Sequence, residues 1–298
     1  MTAVKETKDY APQGNRRGRH AGTRVFSILA WCVALACILP MVAVAVAALT
    51  GGTDTILHLL DTVLPRYALT TVGLVILVSV GTLAIGVGAA WLVTMTRFPG
   101  VRIFEIALIL PLAFPAYVLA YAYTFILDHP GIVQTTLRAV TGWGPRDYWF
   151  PEIRSLGGAA AMLVLVLYPY VYLLARAAFL QQSGGAFLAA RALGKSAFQA
   201  FWLVSLPMAR PAIATGVLLT VMETIADFGT VSYFGVQTFA TGIYTSWFSM
   251  GDRAGAAQLA LCLLCLALVL AVIERSTRGK ARYHQAGKQH APMPPADL

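Results

Sequence analysis

Long stretches without a charged residue constrain this chain more than any other feature. Residues 25–50 and 67–96 carry no charge. Residues 106–127 lie between Glu105 and Asp128, 155–175 between Arg154 and Arg176, and 254–273 between Arg253 and Glu274. Crossing the hydrocarbon core of a bilayer takes about 20 apolar residues in a helix. A further run at 211–235 is long enough and contains only Glu223 and Asp227. The expectation is six transmembrane helices in an all-α polytopic membrane protein. Lipid leaves backbone polar groups no partner outside the chain, and runs of helical length exclude a barrel.

Composition agrees. Of 298 residues, 12% are charged, about half the level of a soluble domain, which argues against a soluble enzyme. Lys and Arg number 22 against 13 Asp and Glu, a formal charge of +9. A nucleic-acid binder would need those charges on one face of a water-soluble fold, and the uncharged runs remove that option. Sorted by the segments between spans, 17 basic residues fall on one side and 5 on the other. The positive-inside rule then puts both termini and the 176–210 segment in the cytoplasm. The expected location is the cell inner membrane, crossed several times. The first run follows a basic leader and ends near Ala-x-Ala triplets, yet exceeds a secretory signal core, so it reads as an uncleaved anchor. The expected organisation is a flexible tail at 1–24, a membrane bundle at 25–275 and a second tail at 276–298.

Few residues offer chemistry. Cys32, Cys37, Cys262 and Cys265 lie in apolar runs and read as small apolar residues. His58 and His129 have no partners at ligand spacing and read as surface residues of the outer loops. There is no Gly-x4-Gly-Lys-Ser/Thr, Gly-x-Ser-x-Gly or His-Glu-x2-His, so any ATP chemistry belongs to a partner. Glu223 and Asp227 are four apart, hence on one face of a helix. An acid at the bilayer centre costs about 2.5–3.5 kcal/mol and marks a functional site by default. Three roles stay open for the pair: a polar patch or gate on a translocation path, a structural network with Thr or Tyr neighbours, or a proton relay in a secondary transporter. Tyr117 and Tyr121 share a face after the Pro111 and Pro115 breaks. They suit either a path for a hard cation, which prefers oxygen ligands, or an interfacial belt. Gly73, Gly81, Gly86 and Gly88 permit close helix contact.

The 176–210 segment is the most specific. Residues 186–193 are helix formers, Gly194 suits a left-handed C-cap, 195–204 form a second helical stretch, and Leu206-Pro207 is expected to break it before the fifth span. Taken alone, the segment reads as a short amphipathic helix on the membrane surface. Its spacing resembles the EAA loop of ABC importer permeases, Glu-Ala-Ala-x3-Gly-x9-Ile-x-Leu-Pro. Ala189, Ala190, Gly194, Leu206 and Pro207 match, Val204 replaces the Ile, and Leu188 replaces the Glu. Ala90-Trp91 with Arg97-Phe98-Pro99-Gly100, Leu110-Pro-Leu-Ala-Phe-Pro115, Glu223-Thr-Ile-Ala-Asp227-Phe-Gly229 and Thr241-Gly-Ile-Tyr244 with Trp247 resemble the ferric iron permeases of that class.

That resemblance implies a type I importer bundle and a permease subunit for ferric iron, with thiamine, sulfate and polyamine permeases sharing the same core. It implies no catalysis and no bound cofactor in this chain, because ATP is used by a cytoplasmic ATPase dimer. The implied partners are that ATPase, a second permease half, a periplasmic or lipid-anchored binding protein, and lipid. Iron-type relatives usually join two halves in one chain, whereas one EAA-like loop is visible here. A homodimer, a pairing with a separate half and a truncated product all fit. By position the ATPase-coupling residues are Leu188, Ala189, Ala190, Arg191, Gly194, Lys195, Leu206 and Pro207, in a loop at 181–210. The outer loops 128–154 and 236–253 would receive the binding protein.

Overall fold

A computed structural model describes residues 16–182, 184–277 and 296–297. Five helices are long and apolar enough to span a bilayer: Phe26–Thr50, Leu64–Met95, Leu156–Gln181, Ala197–Ala226 and Arg253–Glu274. A sixth span is a bent pair, Val101–Ala113 with Ala116–Thr141, turned by 100°. The all-α architecture expected from the apolar runs is therefore present. A two-residue parallel ladder joins Thr96–Arg97 to Ala296–Asp297.

In chain order the helices are α1 (Arg16–Thr50), α2 (Gly52–Thr62), α3 (Leu64–Met95), α4 (Val101–Ala107), α5 (Ala116–Leu127), α6 (Ile132–Thr141), α7 (Leu156–Gln181), α8 (Gly184–Ala192), α9 (Ala197–Ala200), α10 (Leu206–Ala226), α11 (Gly229–Tyr233), α12 (Phe239–Tyr244) and α13 (Arg253–Thr277). Helix α1 starts inside the segment expected as the 1–24 tail. Residues 1–15 and 278–295 of the expected tails lie outside the described residues.

Helix α7 is the axis of the bundle. Its apolar residues run all round it, and thirteen of them are buried, the pattern of a fully enclosed helix. Helices α3 and α10 close on it through glycine. A Cβ on Gly86 would stand 2.8 Å from Val171 Cβ and 2.9 Å from the Tyr168 carbonyl oxygen. One on Gly216 would stand 2.8 Å from Val171 Cα. Small residues let helix backbones approach where no hydrophobic force drives association. Gly81 likewise faces Val164, whereas Gly88 touches nothing within 4 Å. Contact is thus made by only part of the expected glycine stripe. Helix α1 lies outside this core, packed against α13. Gln258 of α13 donates to the carbonyls of Ala48 and Gly52, both at 3.1 Å.

Three expectations about boundaries change. The third span, expected at 106–127 with breaks at Pro111 and Pro115, starts earlier, at Val101, and is split into α4, a 3₁₀ turn at Leu110–Ala113 and α5. Pro111 and Pro115 remove two amide donors within five residues. The fifth span ends at Ala226 rather than continuing to 235. Asp227 is extended, with ψ 124°, so it is not on a common helical face with Glu223. Third, Leu206-Pro207 breaks nothing: helix is continuous from Ala197 to Ala226. A π turn at Phe201–Ser205 precedes Pro207. Its longer hydrogen-bond spacing leaves Pro207 in a first turn, where its missing N–H costs little.

The third span and α7 run antiparallel and are joined at both ends by ion pairs. Arg176 Nη2 lies 3.1 Å from Glu105 Oε2, and Arg154 Nε 3.3 Å from Asp128 Oδ2. At about 1.5 Å rise per residue Leu156, at the start of α7, and Arg176 stand ~30 Å apart, close to the hydrocarbon thickness of about 30 Å, and Arg154 lies just before that start. The two pairs thus stand about one hydrocarbon thickness apart.

Candidate functional site

Two regions hold the residues singled out by sequence. The first is at the basic end of the bundle. Helix α8 carries Leu188, Ala189, Ala190 and Arg191 and stops at Gly194, whose φ is +84°. A left-handed residue there is costly for anything but glycine. Lys195 N donates to the Ala190 carbonyl at 3.1 Å and Gly194 N to the Arg191 carbonyl at 3.0 Å. This is the Schellman closure. Arg191 Nη1 adds a bond to the Lys195 carbonyl at 3.0 Å. Ser196 restarts the helix at once through a capping box: its Oγ accepts from Gln199 N, and its own N donates to Gln199 Oε1, both at 3.1 Å. The turn between α8 and α9 is therefore fixed by four main-chain amides and three side chains.

The root of this hairpin is fixed too. Gln182, buried at the end of α7, donates from Nε2 to the Ser205 carbonyl at 2.9 Å. Phe201 wedges between Trp91 of α3, at 5.1 Å between centroids, and Phe179 of α7, at 5.9 Å. The hairpin is thereby anchored to the packed core. Its tip is bare: Leu188, Leu193, Phe198, Trp202 and Leu203 are exposed, as are Ala189, Arg191 and Lys195. These exposed apolar side chains stand among basic ones, Arg191 and Lys195.

The second region lies near the middle of the bundle. Gly216 packs on Val171, and Glu223 is seven residues, or ~10 Å, further along α10. This puts Glu223 near the midpoint between the two ion pairs. It is exposed and has no hydrogen-bond or ion-pair partner among the described residues. Such a carboxylate cannot face lipid cheaply, so this face of α10 must meet water or protein. Asp227 differs. Its Oδ1 accepts from Thr230 Oγ1 at 3.0 Å and its Oδ2 from Val231 N at 3.1 Å. It ties the end of α10 to the start of α11, the structural role left open by the sequence.

Tyr117 and Tyr121, on α5, are 56% and 62% exposed. A Cβ on Gly229 would stand 3.0 Å from Tyr117 Cβ, and the Tyr121 ring lies edge-on to Tyr233 at 6.0 Å. Both tyrosines thus border α11, behind the break at Asp227. Beside them a cavity of about 270 Å³ is lined by Tyr121, Thr124, Asp128, Arg154 and Tyr233. No group of three or more His, Cys, Asp or Glu is placed to hold a metal ion among the described residues.

The two outer loops contrast. In 128–154, Arg138 donates to Tyr148 Oη at 2.9 Å and to the His129 carbonyl at 2.8 Å, while Tyr148 donates to Gln134 Oε1 at 2.9 Å. The loop is an ordered cap with Trp149 fully outward, at 85% exposed. In 236–253, Val236, Thr238 and Phe239 are buried, and Phe239 N donates to Thr71 of α3 at 3.3 Å. The start of that segment is core rather than loop, and 247–253 are exposed. Sequence reasoning missed Gln182, Ser205 and both arginine pairs. The signal for the pairs was present, since two acids flank the third run and two arginines the fourth.

Similarity to known proteins adds to this geometry. Residues 82–278 match the family described as binding-protein-dependent transport system inner membrane component. The Fe(3+)-transport system permease protein FbpB 2 of Haemophilus influenzae is 28% identical over 218 residues, which is 73% of this chain and 38% of that protein. The molybdenum transport system permease protein ModB of Escherichia coli is 27% identical over 202 residues, 64% of this chain and 83% of that protein. In fold, the chain matches a subunit of a bacterial alginate ABC transporter, solved in complex with an alginate pentasaccharide-bound periplasmic protein. The TM-score is 0.73 at 15% identity, covering 90% of this chain and 99% of that one. With the family match spanning most of the bundle, this chain belongs to the binding-protein-dependent transport system inner membrane components, the permease subunits of ABC importers.

Proposed function

We propose that the chain forms half of the translocation path of an ATP-driven importer and carries ferric iron. The observation that bears most weight is the anchored hairpin α8–Gly194–α9. It is bare at its tip and tied at its root to the helix that runs through the centre of the bundle. An ATPase pair grips that tip from the cytoplasm, the side on which the basic residues place both termini. A second permease half covers the Glu223 face, and a binding protein delivers substrate to the opposite end, where the 128–154 cap is exposed. An importer must have two bundle packings of similar free energy, and the ATPase shifts the balance by binding them with different affinity. The chain brings no catalytic group to this, and the ATP is used by its partner.

Iron as substrate is supported by the Glu223–Gly229 and Arg97–Gly100 motifs and by the iron permease relative. The molybdenum permease relative aligns over more of its own length and supports an oxyanion as the second reading. A proton-coupled carrier loses support because both Asp227 oxygens are engaged by α11.

The test is reconstitution of the chain with its ATPase and binding protein in proteoliposomes. Binding protein loaded with ferric iron is expected to stimulate ATP hydrolysis and uptake. Stimulation by molybdate instead would move the substrate to the oxyanions, and an ATPase unresponsive to every ligand would overturn the importer reading. Gly194→Pro is expected to abolish stimulation while the chain still inserts. Proline cannot take φ +84° and lacks the amide that closes on Arg191. Normal uptake by that variant would remove the hairpin from the coupling step.

A further inference from the structure

The ion pair between Glu105 and Arg176 joins the helix that leads into the hairpin to α4, a short helix with a break at each end. Helix α4 has no buried residue. On one side it is bounded by Gly100, at φ +90°, where a Cβ would meet nothing within 4 Å. The glycine is needed for backbone conformation and not for space. On the other side it is bounded by Ile109, the 3₁₀ turn and Pro115, where the span turns by 100°. A short helix between two such joints behaves as a link, and hinges are positions that absorb backbone rotation.

The polar attachment of that link to the core is made at one residue. Glu105 pairs with Arg176 through its carboxylate and accepts from Tyr172 Oη through its carbonyl at 3.4 Å. Tyr172 is fully buried. Arg176 is six residues before Gln182, the residue that holds the root of the hairpin at Ser205. Its Nε is buried without a partner. Were the carboxylate to leave, a guanidinium already short of one acceptor would lose another in a partly desolvated site, which is unfavourable. Such a contact is held or released as a unit rather than stretched.

We propose that the Glu105–Arg176 pair is the clasp through which displacement of the coupling hairpin reaches the broken third span. The pair at the other end, Asp128–Arg154, is the fixed pivot. Movement of α7 at Gln182 carries Arg176, Arg176 carries α4, and the joint at 109–115 converts this into rotation of α5 with Tyr117 and Tyr121. Arg176 and Glu105 are positioning residues: they touch no substrate and act through α4. This inference rests on the permease reading above.

The experiment is charge reversal in the complete transporter, reading substrate moved per ATP hydrolysed together with unstimulated ATPase and the amount of chain inserted. Glu105→Arg and Arg176→Glu singly are expected to lower the transport-to-hydrolysis ratio by about tenfold, the scale of a typical coupling free energy. The double reversal is expected to recover most of that ratio, because the pair is remade with opposite sense. Charge reversal at Asp128 and Arg154 is expected to leave the ratio within about twofold. Single reversals at the basic end that keep the wild-type ratio, or a double reversal no better than either single one, would overturn the clasp. A merely structural pair would lower the inserted amount and leave the ratio unchanged, which also overturns it. The permease reading fails separately, in a wild-type complex that shows no substrate-stimulated hydrolysis at all.

Discussion

Two proline-bearing spans stand side by side and behave in opposite ways. Helix α7 contains Pro169 and runs unbroken for 26 residues. The third span contains Pro111 and Pro115 and folds back by 100°. In both, proline removes an amide donor and crowds the preceding turn. What differs is the surroundings. Pro169 is buried, with Tyr168 and Val171 pressed against Gly86 on one side and Gly216 on the other. The stretch from Val101 to Ala113 has no buried residue at all. Neighbouring helices on both sides can hold a weakened membrane helix straight, and where support is partial, as at Val101, Leu108 and Ile109 against the core, the weakness becomes a bend. Proline makes a joint possible, and packing decides whether it is used.

The strongest way to break this comparison is to remove the support from α7. Gly86→Leu puts a side chain where even a Cβ would lie 2.9 Å from the Tyr168 carbonyl oxygen. Backbone cannot give way as a flexible side chain can, so the substitution falls at the upper end of overpacking costs, about 3 kcal/mol. The expected result is a large drop in the thermal unfolding midpoint in detergent. Gly88→Leu, at a position facing open space, is the matched control and is expected to change it little. Equal effects would mean that the α3–α7 seam does not depend on close approach.

A smaller effect separates the two kinds of proline. Pro111→Ala with Pro115→Ala restores two amides to the third span and lets it straighten. Uptake is expected to fall about fivefold, at the low end of measured coupling energies, with stability unchanged or raised. Pro169→Ala is expected to leave uptake near wild type, since its neighbours already impose the helix. Loss of uptake in the second variant and not the first would reverse the roles assigned to the two spans.

These contrasts bear on what sequence alone could reveal. Five of the six spans follow directly from charge-free length, because burying backbone in lipid admits few solutions. Gly194 was legible as a C-cap because a left-handed position selects glycine almost by itself. The breaks at Pro111 and Pro115 were legible, but the 100° turn they permit was not, since the fate of two prolines depends on helices remote in sequence. Asp227 was misread for a different reason. Spacing of four implies a shared face only while the helix lasts, and the helix ends one residue before it. The turn of the third span depends on tertiary neighbours, which periodicity cannot report, whereas Asp227 is held locally by Thr230 and Val231, three and four residues on. The terminal ion pairs lie between these cases. The charges were in view at 105, 128, 154 and 176, but pairing them required knowing that these two spans are adjacent and antiparallel.

The finest test compares those two pairs by truncation. Arg154 is 51% exposed and its partner 33%, and its guanidinium also lies 5.2 Å from the centre of the Tyr233 ring. An exposed pair is worth about 0–1 kcal/mol after solvent screening, and the ring contact adds about 0.5–1 kcal/mol. Arg154→Ala is thus expected to lower stability by no more than about 1 kcal/mol, an effect that shrinks as salt is raised. Arg176 is 28% exposed and leaves a buried tyrosine hydroxyl beside an unpaired carboxylate when removed. Arg176→Ala is expected to cost more than Arg154→Ala and to resist salt. Measured in detergent across ionic strength, the two variants should diverge as salt increases. If they instead converge, the two ends of the third span are held alike, and the asymmetry between a clasp and a pivot has no energetic basis.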